Sequence, residues 1–139
     1  MSLTELVAAA ALAPSSHNTQ PWRWTASPDE ARLELHADRR RALPVNDPRG
    51  RELVISCGAT LFALRVAAAH AGVGVVVDPF PDDDEDHLAT VHLTGAPGDE
   101  AVLYDALAAR RTHHGPFARS RVTPDALAAL RAAACASGP

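Results

Sequence analysis

Lysine is missing from this 139-residue sequence, whose thirteen basic residues are all arginine. Set beside the abundant alanine, this reads as the codon bias of a high-GC genome and carries no functional information. Cysteine is scarce. Cys57 and Cys135 lie far apart in apolar helical patterns with no CxxC or metal-ligand spacing, which predicts buried reduced thiols and no disulfide framework. No apolar run reaches the length of a bilayer crossing, and the first residues lack the basic start and cleavage site of a signal peptide, so the expected compartment is the cytoplasm, with no membrane partner.

Several catalytic signatures are absent as well. No Gly-x-Ser-x-Gly elbow surrounds Ser15, Ser16 or Ser56, and Gly72 and Gly74 fall at a helix end and not in a GxGxxG phosphate loop. The seven histidines, His17, His36, His70, His87, His92, His113 and His114, show neither His-x-His nor HExxH spacing, so no metal site is expected. A formal net charge of −4 argues against a general nucleic-acid surface. Against that background the clusters Arg39-Arg40-Arg41 and Arg110-Arg111 stand out, as forks suited to phosphate or as solvated loop faces.

What is present is enough chain for one domain with a real core. Ser2-Leu3-Thr4-Glu5 has capping-box spacing, and the alanine- and leucine-rich run from Leu3 to Ala13 predicts a helix ended by Pro14. Alternation in Trp22-Arg23-Trp24 and again from Arg32 to Ala37 predicts a hairpin turning across Ser27-Pro28-Asp29-Glu30. Asp47-Pro48 reads as an N-cap and first helical residue, opening the longest helix, Arg49 to Ala71, which Gly72 stops. Two further strands are expected at Val73 to Val77 and Leu88 to Leu93, flanking an acidic turn at Asp82 to Asp86. Asp99 to Arg110 reads as a helix, Thr112 to Phe117 as a loop, and Thr123-Pro124-Asp125 as the start of a last helix running to about Ala136. Four strands and four helices in mixed order make an α+β layered domain with hairpin pairing, and there is no internal repeat.

Two stretches concentrate chemistry. Pro14-Ser15-Ser16-His17-Asn18-Thr19-Gln20-Pro21-Trp22 sets hydroxyls, amides and an aromatic between prolines, a make-up able to edge-read a planar heterocycle, though equally that of a helix stop followed by a turn. Arg110-Arg111-Thr112-His113-His114-Gly115-Pro116-Phe117 offers charge-assisted donors suited to a phosphate monoester, or arginines placed to complement a helix C-terminus.

Taken together the two stretches resemble the P-S-S-x-N-x-Q-P-W and R-R-S-x-R-x-F signatures of the nitroreductase-like flavoproteins. The serine loop comes first, and this order, with Leu43 to Leu53 and Ser56-Cys57-Gly58-Ala59, is similar to the Acg-like branch, whose members fuse two nitroreductase-like halves. The resemblance implies a three-layer α/β sandwich with a mixed or antiparallel sheet flanked by helices. Residues 1–139 would then be a single half-domain, truncated at its C-terminus. It also implies a non-covalent FMN, with Ser15, Ser16, Asn18 and Gln20 on the isoalloxazine and ribityl side and Arg110, Thr112 and His114 on the phosphate side, and no catalytic residue of its own. The implied activity is hydride transfer from NAD(P)H through the flavin to a small nitro or quinone acceptor, the alternative being an FMN-sequestering protein with little turnover. The branch reads R-R-T-N-R-G-P-F, so His113 and His114 stand where Asn and Arg are expected, which gives the phosphate one fixed charge fewer. An open face left by a missing half would be covered by that half or by a second copy in a homodimer.

Overall fold

The computed structural model describes residues 1–28 and 31–136. The first helix, α1 (Leu3–Ala10), begins at the expected capping box: the Ser2 hydroxyl accepts from the Glu5 amide at 3.3 Å, and the Glu5 carboxylate accepts from the Ser2 amide at 2.7 Å. The backbone bond from Ser2 holds the Glu5 carboxyl below the usual carboxylate range. The helix is shorter than its apolar run. Proline disfavours the helical conformation in the residue before it, and the chain tightens through Leu12 N–H to Ala9 O and Ala13 N–H to Ala10 O before Pro14.

The hairpin forms as expected from β1 (Trp22–Ala26) and β2 (Arg32–Ala37), in the register Trp22 opposite Ala37 and Ala26 opposite Leu33. Residues 29 and 30 of its turn lie outside the described residues. Strands β3 (Gly74–Pro79) and β4 (His87–Thr94) complete one sheet of order β1-β2-β4-β3, antiparallel throughout. Glycine is required where β3 begins, because a Cβ on Gly74 would lie 1.8 Å from the Ala96 carbonyl oxygen.

The longest helix, α2 (Arg51–His70), starts later than its sequence suggests. Gly50, left-handed at φ 67°, is the N-cap, and Asp47 acts from outside the helix, its buried carboxylate accepting from the Arg51 amide at 2.9 Å and the Leu53 amide at 3.0 Å. One side chain thus satisfies two of the amides that a helix start leaves orphaned. The 20 residues of α2 are, by length and composition alone, enough to cross a membrane, contrary to the expectation that no apolar run is. Ten of them, including Leu53, Leu64, Val66 and Ala67, are buried in the protein.

The core lies between α1, α2 and one face of the sheet, where Leu6, Ala10, Leu64 and Ala67 meet Leu33 and Val91, and Leu53 and Cys57 meet Leu35 and Ala89. Each fully buried leucine there contributes about 2 kcal/mol from the area it withdraws from water. Sheet and helices supply two layers of the α+β sandwich. The expected helix Asp99–Arg110 divides into a 3-10 segment, Asp99–Leu103, and a short α3 (Tyr104–Ala109). These pack on α2 through the Arg65–Glu100 ion pair and a His70–Tyr104 ring stack at 3.8 Å. The last helix, α4 (Pro124–Ala136), follows residues 110–123 of exposed chain, and its side chains from 124 to 135 are exposed too. Cys57 is buried, whereas Cys135 is exposed, so only one thiol fits the expectation of burial.

Candidate functional site

The segment between Pro14 and Pro21 is a tight loop in which His17, Asn18 and Gln20 all hold positive φ, at 50°, 55° and 48°. Three such residues in four positions cost about 1–3 kcal/mol each unless the surroundings compel them. The surroundings do. The Ser15 hydroxyl accepts from the Gln20 amide at 2.9 Å, and the Thr19 hydroxyl donates to the Ser16 carbonyl at 2.9 Å. The Ser16 amide donates to the Ser56 hydroxyl at 3.2 Å and its side chain donates to the Glu52 carboxylate, while Arg41 donates to the Thr19 carbonyl.

Just beyond, the Pro21 carbonyl accepts from the Cys57 thiol and from the Asp38 amide. The Trp24 indole donates to the Thr60 hydroxyl at 3.3 Å, which in turn donates to the Ala10 carbonyl at 3.0 Å. Glu52, Ser56 and Thr60 therefore form a polar stripe at four-residue spacing along α2, and that stripe holds the loop and its flanks. Burial pushes the Cys57 thiol up to about 12, so it stays protonated and serves as packing and as a donor.

Among the described residues the side-chain amides of Asn18, exposed, and Gln20, half-buried, have no hydrogen-bond partner. His17 meets the Asn46 amide at 3.2 Å. Ser15 and Ser16 are already committed to the loop's own architecture, so the groups it presents outward are chiefly amides.

The second stretch starts at the end of α3. Arg110 donates to the Thr112 hydroxyl at 3.2 Å and to the Leu12 carbonyl at 3.4 Å, which lays the head of this stretch beside the end of α1. Arg111 turns back onto the carbonyls of Ala108 and Arg110, completing the helix C-terminus. His113 packs on Phe117 at 5.1 Å and meets the Pro116 carbonyl. His114 is exposed and, among the described residues, is brought to none of the others.

Between the two stretches lies a cavity of about 650 Å³ walled by Leu12, Ala59, Phe62 and Leu107, with Pro14 from the first stretch and Arg110 from the second on its lining. Of the seven candidate residues, Ser15, Ser16, Asn18 and Gln20 thus share one loop, Arg110 and Thr112 pair at the far side of the cavity, and His114 stands apart. The arginines at 39 to 41 are occupied by Asp38 and Asp86, and the Arg40 hydrogen bond holds the Asp38 carboxyl below its usual range.

No family model matches the chain. Its sequence is 41% identical over 112 residues to a Mycobacterium tuberculosis protein named "Putative NAD(P)H nitroreductase acg", covering 76% of this chain and 33% of that one. It is 42% identical over 129 residues to "Putative NAD(P)H nitroreductase Rv3131" of the same organism, covering 91% and 37%. The chain spans about a third of the length of these relatives. In fold it is similar to a solved "Putative NADH Oxidase" from Clostridium acetobutylicum, with a TM-score of 0.54 at 16% identity over 70% of this chain and 76% of that one. A similar match, at TM-score 0.52 and 15% identity over 81% and 84%, is to a "Putative NADH dehydrogenase/NAD(P)H nitroreductase" from Parabacteroides distasonis.

The antiparallel sheet and the core helix make this an α+β fold similar to that of the two solved structures. Over the third of their length that it spans, its sequence is similar to those two relatives at 41 and 42% identity.

Proposed function

We propose that the chain is the FMN-binding part of a nitroreductase-type oxidoreductase. The observation that carries this reading is the cavity bordered by both signatures, with Pro14 and Arg110 on the lining of one apolar space of about 650 Å³. A flavin is a planar, largely apolar heterocycle with an anionic tail, and the residues present fit both parts. Leu12, Ala59, Phe62 and Leu107 offer apolar walls, and the Arg110 guanidinium beside the Thr112 hydroxyl offers phosphate donors at the rim.

Asn18 and Gln20, whose amides are uncommitted, are the groups we assign to polar edges of the ring and ribityl chain. Ser15 and Ser16 hold the backbone that presents them. The chemistry the cofactor supplies when bound is hydride transfer from NAD(P)H and onward to a nitro or quinone acceptor. The protein's part is binding and orientation, so we assign no general base. Ile55 on α2 is 70% exposed and Phe117 84%, which supports a partner, either a second copy or the remainder of a longer chain, over exposed apolar surface. We place the protein in the cytoplasm.

A second reading, flavin storage with little turnover, is favoured by one observation: His114, standing where the branch carries arginine, makes no hydrogen bond, among the described residues, with Arg110 or Thr112. Absorption spectroscopy of the purified chain with and without added FMN is the primary experiment. A bound flavin spectrum, with FMN released on denaturation, is expected, and a colourless protein that takes up no FMN would overturn both readings. NAD(P)H oxidation with a nitroaromatic acceptor then separates them, since flavin binding without oxidation selects storage.

A further inference from the structure

The sheet face turned away from α2 carries Glu34 and His36 on β2 and His87 on β4, and these three place one ligand atom each within 4.8 Å of one another. Glu34 and His36 reach this face together because strand side chains alternate. His87 joins them because the β2–β4 register shifts at Leu35/His36, where Leu88 of β4 is the extra residue, and this sets His36 directly opposite His87. The imidazole rings lie 4.5 Å apart and nearly parallel, and His36 Nε2 stands 3.5 Å from a Glu34 carboxylate oxygen.

His87 is buried at 8% exposure and its ring is oriented from both ends. Nδ1 meets the Asp82 carboxylate at 2.8 Å and Nε2 meets the Thr90 hydroxyl at 3.1 Å. With the Nδ1 proton directed at Asp82, the Nε2 lone pair is left for an acceptor role. A carboxylate behind a histidine in this way is the arrangement that fixes ring and tautomer in metal sites.

We propose that Glu34, His36 and His87 form a binding site for a divalent transition-metal ion of the Zn²⁺ class, with Asp82 orienting His87. Two imidazoles and a carboxylate are a donor set that such an ion accepts, and they leave a fourth position for water. Ligand atoms around a tetrahedral Zn²⁺ stand about 3.3 Å apart, so the Glu34–His36 separation is already suitable, and on binding the two rings turn out of their parallel stack as His87 exchanges the Thr90 hydroxyl for the ion. Binding joins β2, β4 and the acidic loop at Asp82. The site lies across the sheet from the cavity and is independent of any flavin.

Isothermal titration of ZnCl₂ into the chelator-treated, purified chain tests this. One equivalent is expected to bind, with a rise in melting temperature, and His36→Ala and His87→Ala are each expected to abolish both. Glu34→Gln, which keeps the side chain's size, is expected to weaken binding at least tenfold if either histidine variant fails to fold, and Asp82→Asn by about 10- to 100-fold. A His113→Ala/His114→Ala variant is expected to bind as wild type. Co²⁺ should give visible d–d bands without a thiolate charge-transfer band. No saturable binding, binding that survives both single histidine replacements and Glu34→Gln, or a thiolate band pointing to Cys135 would each overturn the proposal.

Discussion

The Pro14–Pro21 loop and the segment from Arg110 to Phe117 carry the two halves of one signature pair, yet they are held in opposite ways. The loop is tied down by Glu52, Ser56, Thr19 and Arg41, and its flanks by Cys57, Asp38 and Thr60. Among the described residues the downstream segment is bonded to the rest of the molecule only at its head, by Arg110 to Leu12 and Ala106 and by Arg111 to Ala108, and everything from 110 to 123 is exposed. A backbone with three positive-φ residues keeps its shape only when over-determined, whereas donors aimed at an anion can be ordered by the ligand itself. The geometry of the Pro14–Pro21 loop is therefore intrinsic to this chain, and that of the downstream segment depends more on what binds to it.

The widest separation should come from matched truncations in α2, which anchors the loop, and in α4, which follows the exposed segment. Leu64→Ala, at a side chain with 0% exposure, is expected to cost about 2–5 kcal/mol, while Leu130→Ala on α4, 64% exposed, should change stability by less than about 0.5 kcal/mol, both read by urea denaturation. Equal effects would mean that α4 is packed in solution.

Thr60→Val is next. It strands the Trp24 indole and takes one of two donors from the Ala10 carbonyl, which keeps the Ala13 amide, and a loss of about 1–3 kcal/mol in the same assay is expected. Arg110→Ala should weaken FMN binding at least tenfold with little change in stability, because its bonds to Thr112 and Leu12 are exposed, while Arg111→Ala should leave FMN affinity near wild type. Fluorescence titration with FMN decides this, and an equal loss in both variants would remove the distinction drawn between the two arginines.

The smallest effects are chemical. In native protein a thiol reagent should label Cys135 rapidly and Cys57 only on unfolding. Because the Cys57 thiol is raised by burial to about 12, its contribution to stability is complete below its ordinary value of 9.0 and is lost progressively as pH rises from there toward 12. Cys57→Ser should flatten that alkaline limb of a pH–stability profile. At the acid end the signs reverse: Asp82, lowered chiefly by its hydrogen bond to His87, contributes above its ordinary 3.8 and loses that contribution as pH falls below it.

Much of the fold was legible in advance where the determinants are local. Ser2 and Glu5 announce the start of α1, the alternation of Leu33, Leu35 and Ala37 announces β2, and Gly72, at φ 76°, ends α2 where expected. Local rules failed where a residue acts from a distance. Asp47 caps α2 from across a turn, Pro14 shortens α1 from beyond its end, and the apolar run after Asp99 breaks at Leu103. The polar residues that fix the loop were in view as Glu52, Ser56 and Thr60, and their four-residue spacing in an apolar helix was the signal available. Nothing local says which element such a stripe will face.

The amino-acid sequence by itself determined the elements, the hairpin and the two signature stretches, because caps, alternation and turn residues act over a few bonds. Tertiary structure alone decided that Pro14 and Arg110 border one cavity, that α2 supplies the loop's anchors, and that His36 meets His87. Those juxtapositions depend on strand register, on the irregularity at Leu35/His36 and on helix-to-sheet packing, which are fixed only when distant parts of the chain bury their apolar faces against one another.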